Sequence, residues 1–360
     1  MADIRPFRAL RFTERAGDIR ELTCPPYDII SESQRLSYLA RNPHNVIRLE
    51  LPRDGADPYA AAGETLRSWL EEGILRQDDE AAFYVYEIEF DLEGMSDISG
   101  MAGGRRSIVG LIAQVHLEEF SKGIVLPHEE TLSKAKEDRF NLMKATHCNF
   151  SDIYSLYMDD GGEEETLDIL GLAQREQPVS ELTDEAGLTH RLWAITDAGI
   201  VSAIQRRFTD TKLYIADGHH RYETALRYRD TLREQGILDT DAEYVMMMLV
   251  EMSHPGLVVF PTHRMIRDVK NFDAAKLLAD SAPYFDIRTG VPLDALDESL
   301  EHAYTEGHKA FGFYTGGETV TVMTLKDTAV MDSLLPGLSP TARQLDVNVL
   351  HTLVLERLLG

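Results

Sequence analysis

The run from Leu213 to Leu226, L-Y-I-A-D-G-H-H-R-Y-E-T-A-L, leaves the chain few ways to fold. Leu213 to Ala216 form a short apolar run of buried-strand type, Asp217-Gly218 is a turn signal, and from Arg221 onward the composition and spacing are helical. The order is therefore strand, tight loop, helix. This places His219, His220 and Arg221 over the first turn of the helix, where unpaired backbone N–H groups and the positive end of the dipole favour an anion. Gly218 lets the backbone approach a ligand or take positive φ, and Arg221 offers a planar fork of donors for phosphate or carboxylate oxygens. Asp217 stands at the carboxyl end of the strand, placed to cap the helix or to hold the cation that a polyphosphate brings with it. Thr224, one turn in, points back at a ligand or packs. Plain helix capping and a surface His pair account for the same residues.

With 360 residues and 43% hydrophobic content, the chain can bury a sizeable core, and alternating strand and helix patterns predict an α/β fold with mixed sheets of the α+β kind. The expected domains are 1–160, 161–270 and 271–360. Lys and Arg number 36 against 61 Asp and Glu, a formal net charge of -25, and no basic run gathers the positive residues. A polyanion would be repelled, so nucleic acid is not an expected partner, and a small anion in a local pocket is. No apolar run approaches membrane-spanning length, and the N-terminal M-A-D-I-R-P-F-R-A-L lacks the apolar core of a signal peptide. Cys24 and Cys148 are too few for a disulfide scaffold. These features predict a cytoplasmic protein with reduced, buried and inert thiols.

Cys24-Pro25-Pro26-Tyr27-Asp28 is a stiff loop, because two prolines fix φ and withhold donors. Tyr27 and Asp28 are candidate site residues, Asp28 as cation ligand or base, or as cap of the helix starting near Ser31. Asn45 to Leu51 alternates like a strand and predicts Arg48 opposite Ile47, Leu49 and Leu51, reaching an anion or ion-paired on a solvated face. Phe83 to Phe90 and Ile108 to Leu117 read as an antiparallel strand pair joined by a polar link from Gly94 to Arg106. In L-P-H-E-E-T, His128, Glu129 and Thr131 precede Lys134, Lys136 and Arg139 on a helix. A carboxylate beside an imidazole suits a general base, and the cations suit phosphate oxygens; a helix N-terminus with ordinary ion pairs has the same composition. Tyr244 to Glu251 is too continuously apolar to be anything but buried. Leu257 to Arg264 predicts a strand ending in His263 and Arg264, two further candidates for an anion pocket. After Val269 a compact α/β tail carries no chemical cluster, and packing, a lid or homodimerisation are the roles it allows.

Further segments are P-F-R-A-L-R-F at Pro6 to Phe12, C-P-P-Y-D-I-I-S at Cys24 to Ser31, N-P-H-N-V-I-R-L at Asn42 to Leu49 and G-I-V-L-P-H-E-E-T at Gly123 to Thr131. Together with I-A-D-G-H-H-R-Y-E-T-A-L they make nearly the whole chain resemble domain-of-unknown-function family 1015. The D-G-H-H-R loop is also similar to the G-x-H-R type loop of the ParB/sulfiredoxin-like superfamily, which includes nucleotide-binding partition proteins, sulfiredoxin and an ADP-dependent free-serine kinase. The second resemblance implies a ParB/sulfiredoxin-like core with a smaller C-terminal α/β domain. It also implies phosphate contacts from Gly218, His219, His220 and Arg221, with Asp217 as a magnesium or acid/base residue.

The expected activity is phosphotransfer, as kinase or phosphatase, on serine, phosphoserine or a similar small metabolite, with magnesium and ADP or ATP as cofactors. In it Glu129 or Asp28 takes the proton of the acceptor hydroxyl, assisted by His128, and His219, His220 and Arg221 stabilise the moving phosphoryl group. The alternatives are a non-catalytic nucleotide-binding regulatory protein and a metal-dependent hydrolase using His128, His219 and His220. No run matches a complete Walker P-loop or a dinucleotide fingerprint.

Overall fold

The computed structural model describes residues 2–91, 104–128, 133–159, 165–258 and 263–360. The expectations for Glu129, Thr131, the side chain of Lys134 and most of the Gly94 to Arg106 link lie outside them. The described chain divides into two compact units, one within 1–93 and 103–259, the other within 260–360. Among the described residues no helix is long and apolar enough to cross a membrane.

The first unit is built on a mixed sheet of nine strands. In chain order they are β1 (Ile4–Arg5), β4 (Phe83–Asp91), β5 (Arg105–His116), β6 (Val125–Leu126), β7 (Ile153–Tyr157), β8 (Ser180–Thr183), β9 (Thr189–Ile195), β10 (Leu213–Asp217) and β11 (Tyr244–Glu251); β2 (Leu10–Phe12) and β3 (Leu75–Gln77) pair separately. The spatial order is β6-β10-β7-β11-β5-β4-β9-β8, with β1 paired to β5. Strands from either side of residue 160 share this one sheet. The Met-rich β11 is central, parallel to β7 and antiparallel to β5, which is why its sequence is apolar on both faces.

One sheet face carries the main core, in which Val85, Leu111, Ile153, Met247 and Leu249 pack with Ile204, Phe208 and Tyr222 of the helices. The other face carries Ile108, Met248 and Val250, with Tyr86, Ile88 and Tyr154 partly buried around them. Gly110 keeps that face low, because a Cβ there would lie 2.7 Å from Met248 Cε.

The Asn45 to Leu51 stretch corrects the expected strand, for Ile47–Glu50 is a short helix. A strand would set Ile47, Leu49 and Leu51 on one face, whereas the helix sends Ile47 and Leu51 into one apolar cluster with Ile30 and Tyr38, and Leu49 into another with Leu22, Leu66 and Trp69. Asn45 secures the start, its Oδ1 accepting from Ile47 N at 3.0 Å and its Nδ2 donating to Glu21 O and Thr23 O. Two cores on opposite sides outweigh the alternation.

The second unit has an antiparallel sheet, β12 (Phe285–Pro292), β14 (Thr319–Leu325) and β13 (Ala310–Phe313) in spatial order. Phe285, Met323 and Leu325 pack there with Val349 and Leu353 of the closing Val349–Leu359 segment, a wide π-type helix.

Helix Pro58–Glu71 meets helix Ser133–Thr146 at Gly63, where a Cβ would lie 2.5 Å from the Ala145 carbonyl oxygen. Gly63→Ala therefore forces the two backbones apart, and urea unfolding should show a loss of about 1–3 kcal/mol. Unchanged stability would mean that this close approach does not exist.

Candidate functional site

Strand β10 ends at Asp217 beside the start of β7, and a bulge between Ile215 and Asp217 shifts the pairing so that Asp217 sits opposite Tyr154. Bulges of this kind re-aim a side chain at a strand end. Ala216, the extra residue, presents its carbonyl to His128 Nε2 at 3.2 Å. Gly218 follows with φ 96 and ψ 24, and helix His219–Glu234 starts on this glycine, which has no side chain to cap it. Glycine suits this position because φ is positive, and a Cβ here would press on Arg221 Nε at 3.0 Å, the guanidinium being folded back over the loop.

Arg221 donates from Nη2 to the Asp217 carboxylate and from Nη1 to the Asp152 carbonyl. It thereby ties the helix start to the end of β10 and to the residue before β7. His219 is buried, and its Nε2 accepts from His128 N–H at 3.2 Å, with the two rings edge to face at 4.5 Å. His220 is half-buried on the same turn. Thr224 is buried and lies with Arg221 on a cavity of about 40 Å³ that also touches Glu50, Arg139 and Ser151, room for about one water.

Glu50, Ser151 and Asp152, which the sequence reading left aside, complete this cluster together with Arg139, one of the cations it offered for phosphate oxygens. Glu50, 5% exposed, receives Ser151 Oγ at 2.5 Å and Arg139 Nη1 at 3.4 Å on Oε1, and Arg139 also donates to the Glu50 carbonyl at 2.9 Å. Burial raises the Glu50 carboxyl above its ordinary range, against the pull of Arg139, Ser151 and Arg221. Burial likewise raises Asp152; its own backbone N–H and Arg221 oppose the shift, and Asp217 adds to it. The Arg139 guanidinium lies 4.0 Å above the Tyr27 ring, joining the C-P-P-Y-D loop to the cluster. Ser151-Asp152 directly ahead of an alternating strand is a sequence signal for a strand-end site; Glu50 gives no such signal, and tertiary packing brings it to Arg139.

Other expected residues are placed elsewhere. Asp28 is exposed on the Tyr27–Ile29 turn, and the next helix is capped instead by Ser31 in a capping box with Gln34. Arg48 turns its Nη2 to the Leu39 carbonyl at 3.0 Å. His263 and Arg264 group with the second unit, where Arg264 Nε donates to His351 Nε2 at 3.2 Å, and the described residues near them form no strand. Lys136 pairs with Glu223 at 2.7 Å. Arg229 is buried, and Leu117 O and Glu119 Oε1 receive its guanidinium at 3.0 and 2.6 Å. Burial pushes the Cys24 thiol up to about 12 and Cys148 up to about 11, so neither is a thiolate at neutral pH.

The raised Glu50 carboxyl makes stability depend on pH. Its folded state binds a proton more tightly than its unfolded state, so its contribution is full below the unfolded value of about 4.3 and is lost as pH rises through the folded value. Glu50→Gln keeps the shape without the titration. In urea unfolding from acid to neutral pH, the difference in stability should move in favour of the variant as pH rises. A difference that stays constant, or moves the other way, contradicts the assignment.

Over residues 4–348 the chain matches the family model described as "Protein of unknown function (DUF1015)". No curated protein and no solved structure matches it. The motifs that build the loop, the stiff Pro-Pro segment and the strands around them all fall within those bounds, and the chain belongs to the DUF1015 family.

Proposed function

We propose that the chain is a cytoplasmic phosphotransfer enzyme, kinase or phosphatase, acting on serine, phosphoserine or a similarly small metabolite. The observation that carries this reading is the helix start at Gly218 and His219: a first turn whose cap residue is a glycine, at a strand's carboxyl end, with Arg221 folded across it and a second arginine, Arg139, in the adjoining buried cluster. Backbone N–H groups, a helix dipole and a guanidinium at one point suit a phosphate, and phosphoryl transfer asks a protein chiefly for positioning and charge neutralisation. The likeness of the loop to the ParB/sulfiredoxin-like superfamily supports the same reading, and with it a ParB-like core. Gly218, His219, His220, Arg221 and Thr224 hold the phosphate, and Arg221 exchanges Asp217 for phosphate oxygens.

Among the described residues no three His, Cys, Asp or Glu side chains are grouped so as to hold a metal ion, and Asp217 is already paired with Arg221. Magnesium therefore belongs to this reading as the companion of an ADP or ATP phosphate, neutralising its charge, with Asp217 the carboxylate at hand. From the sequence, Glu129 with His128, or Asp28, takes the proton of the acceptor hydroxyl. A net charge of -25 argues against a nucleic-acid partner.

The test offers ATP, ADP, serine and phosphoserine, with magnesium, to the purified protein and follows phosphate release and transfer. Turnover should appear with one donor and acceptor pair, and Arg221→Ala should lower it about 100-fold or more. Ligand binding that needs Arg221, with no turnover in the whole set, would contradict the enzyme and leave a regulatory nucleotide-binding protein.

A further inference from the structure

The cavity of about 40 Å³ in the buried cluster adjoins the first turn of helix His219–Glu234. Arg221 touches both places: its guanidinium packs over Gly218, and its side chain lines the cavity. Thr224 lines the cavity as well, three residues further along the helix, which is about 4.5 Å of rise. Glu50, Arg139 and Ser151 supply its other polar groups. A ligand with its phosphate on the first turn therefore has this cavity within reach of a two-carbon link.

Positive charge is short in the cluster. Arg139 gives Nε and Nη2 to Asp138 Oδ2, at 2.8 and 2.6 Å, and Arg221 pairs with Asp217. Glu50 is left with the Ser151 hydroxyl and the 3.4 Å contact from Arg139 Nη1. Both fall on Oε1, and among the described residues no hydrogen bond reaches Oε2. In a side chain only 5% exposed, a carboxylate oxygen without a donor costs free energy until one is supplied. Burial raises both Glu50 and Asp152, the response of carboxyls short of positive charge.

The group that fits is the size of a water, donates hydrogen bonds and is positive. A primary ammonium has all three properties; a hydroxyl lacks the charge, and a quaternary ammonium lacks the N–H and is too large. We propose that the cavity is the amine site of the substrate, which is a phosphorylated primary amine. Its phosphate sits on the first turn after Gly218, and its ammonium enters the cavity and donates to Glu50 Oε2 and to the lone pairs of Ser151 Oγ. Glu50 then decides which phosphorylated metabolite is taken. The phosphate end rests on the phosphotransfer reading, and the amine end is measured by binding, without turnover.

Titration calorimetry on the purified protein with two pairs of compounds separates the two ends. Phosphoserine and 3-phosphoglycerate share a skeleton and differ by a hydroxyl in place of the amine. Phosphoethanolamine and phosphocholine differ by three methyl groups on the nitrogen. The primary amine of each pair should bind at least about tenfold more tightly than its partner. Glu50→Gln, checked for folding by circular dichroism, should bring the members of each pair to within about threefold of one another. Equal affinities in the unmodified protein, or a preference that Glu50→Gln leaves intact, overturn the amine site while the phosphate site stands. Phosphocholine bound as tightly as phosphoethanolamine overturns the placing of the ammonium in so small a cavity. Binding of none of the four overturns the phosphate reading and the amine site together. Should Glu50→Gln fail to fold, the two ratios in the unmodified protein decide.

Discussion

Arg221 holds three pieces of the first unit at one point, the end of β10, the residue before β7 and the first turn of helix His219–Glu234. Its reach depends on the bulge that aims Asp217 and on a glycine whose missing Cβ leaves room for the guanidinium. Arg221 is also a charge that a ligand can claim. In the proposed function a phosphate on the first turn would offer it oxygens in place of the Asp217 carboxylate, which would make the closed pair and the occupied site two states of one contact.

The neighbouring carboxyls set the surroundings of that contact. Glu50 and Asp152 are both raised by burial, and each is steadied by an arginine, so electrostatic terms count for more in this cluster than at a surface. Arg139 has a structural share in this. It joins helix Ser133–Thr146 to Glu50 while lying over Tyr27, which brings the stiff Pro-Pro loop, the short Ile47–Glu50 helix and the large sheet into one polar core.

How far the sequence discloses this depends on where the determining interactions lie. The strand, loop and helix of Leu213 to Glu234 were legible, because apolar run, turn residues and helical spacing are local signals, and so was the burial of Tyr244 to Glu251. The Ile47–Glu50 helix was not, since two separate apolar clusters decide it and no short window contains both. The burial of Arg229 is illegible for a similar reason: its partners Leu117 and Glu119 are more than a hundred residues away in sequence. Of the candidate site, the loop residues, His128 and Arg139 were named from the sequence, whereas Glu50, Ser151 and Asp152 join them only through folding.

The most direct test of the account is a crystal structure of the protein grown with phosphoserine and magnesium. The account predicts the phosphate on the backbone N–H groups of the first turn after Gly218, with the Arg221 guanidinium turned from Asp217 onto phosphate oxygens. A phosphate bound elsewhere, with the Asp217 and Arg221 pair still closed, would contradict it.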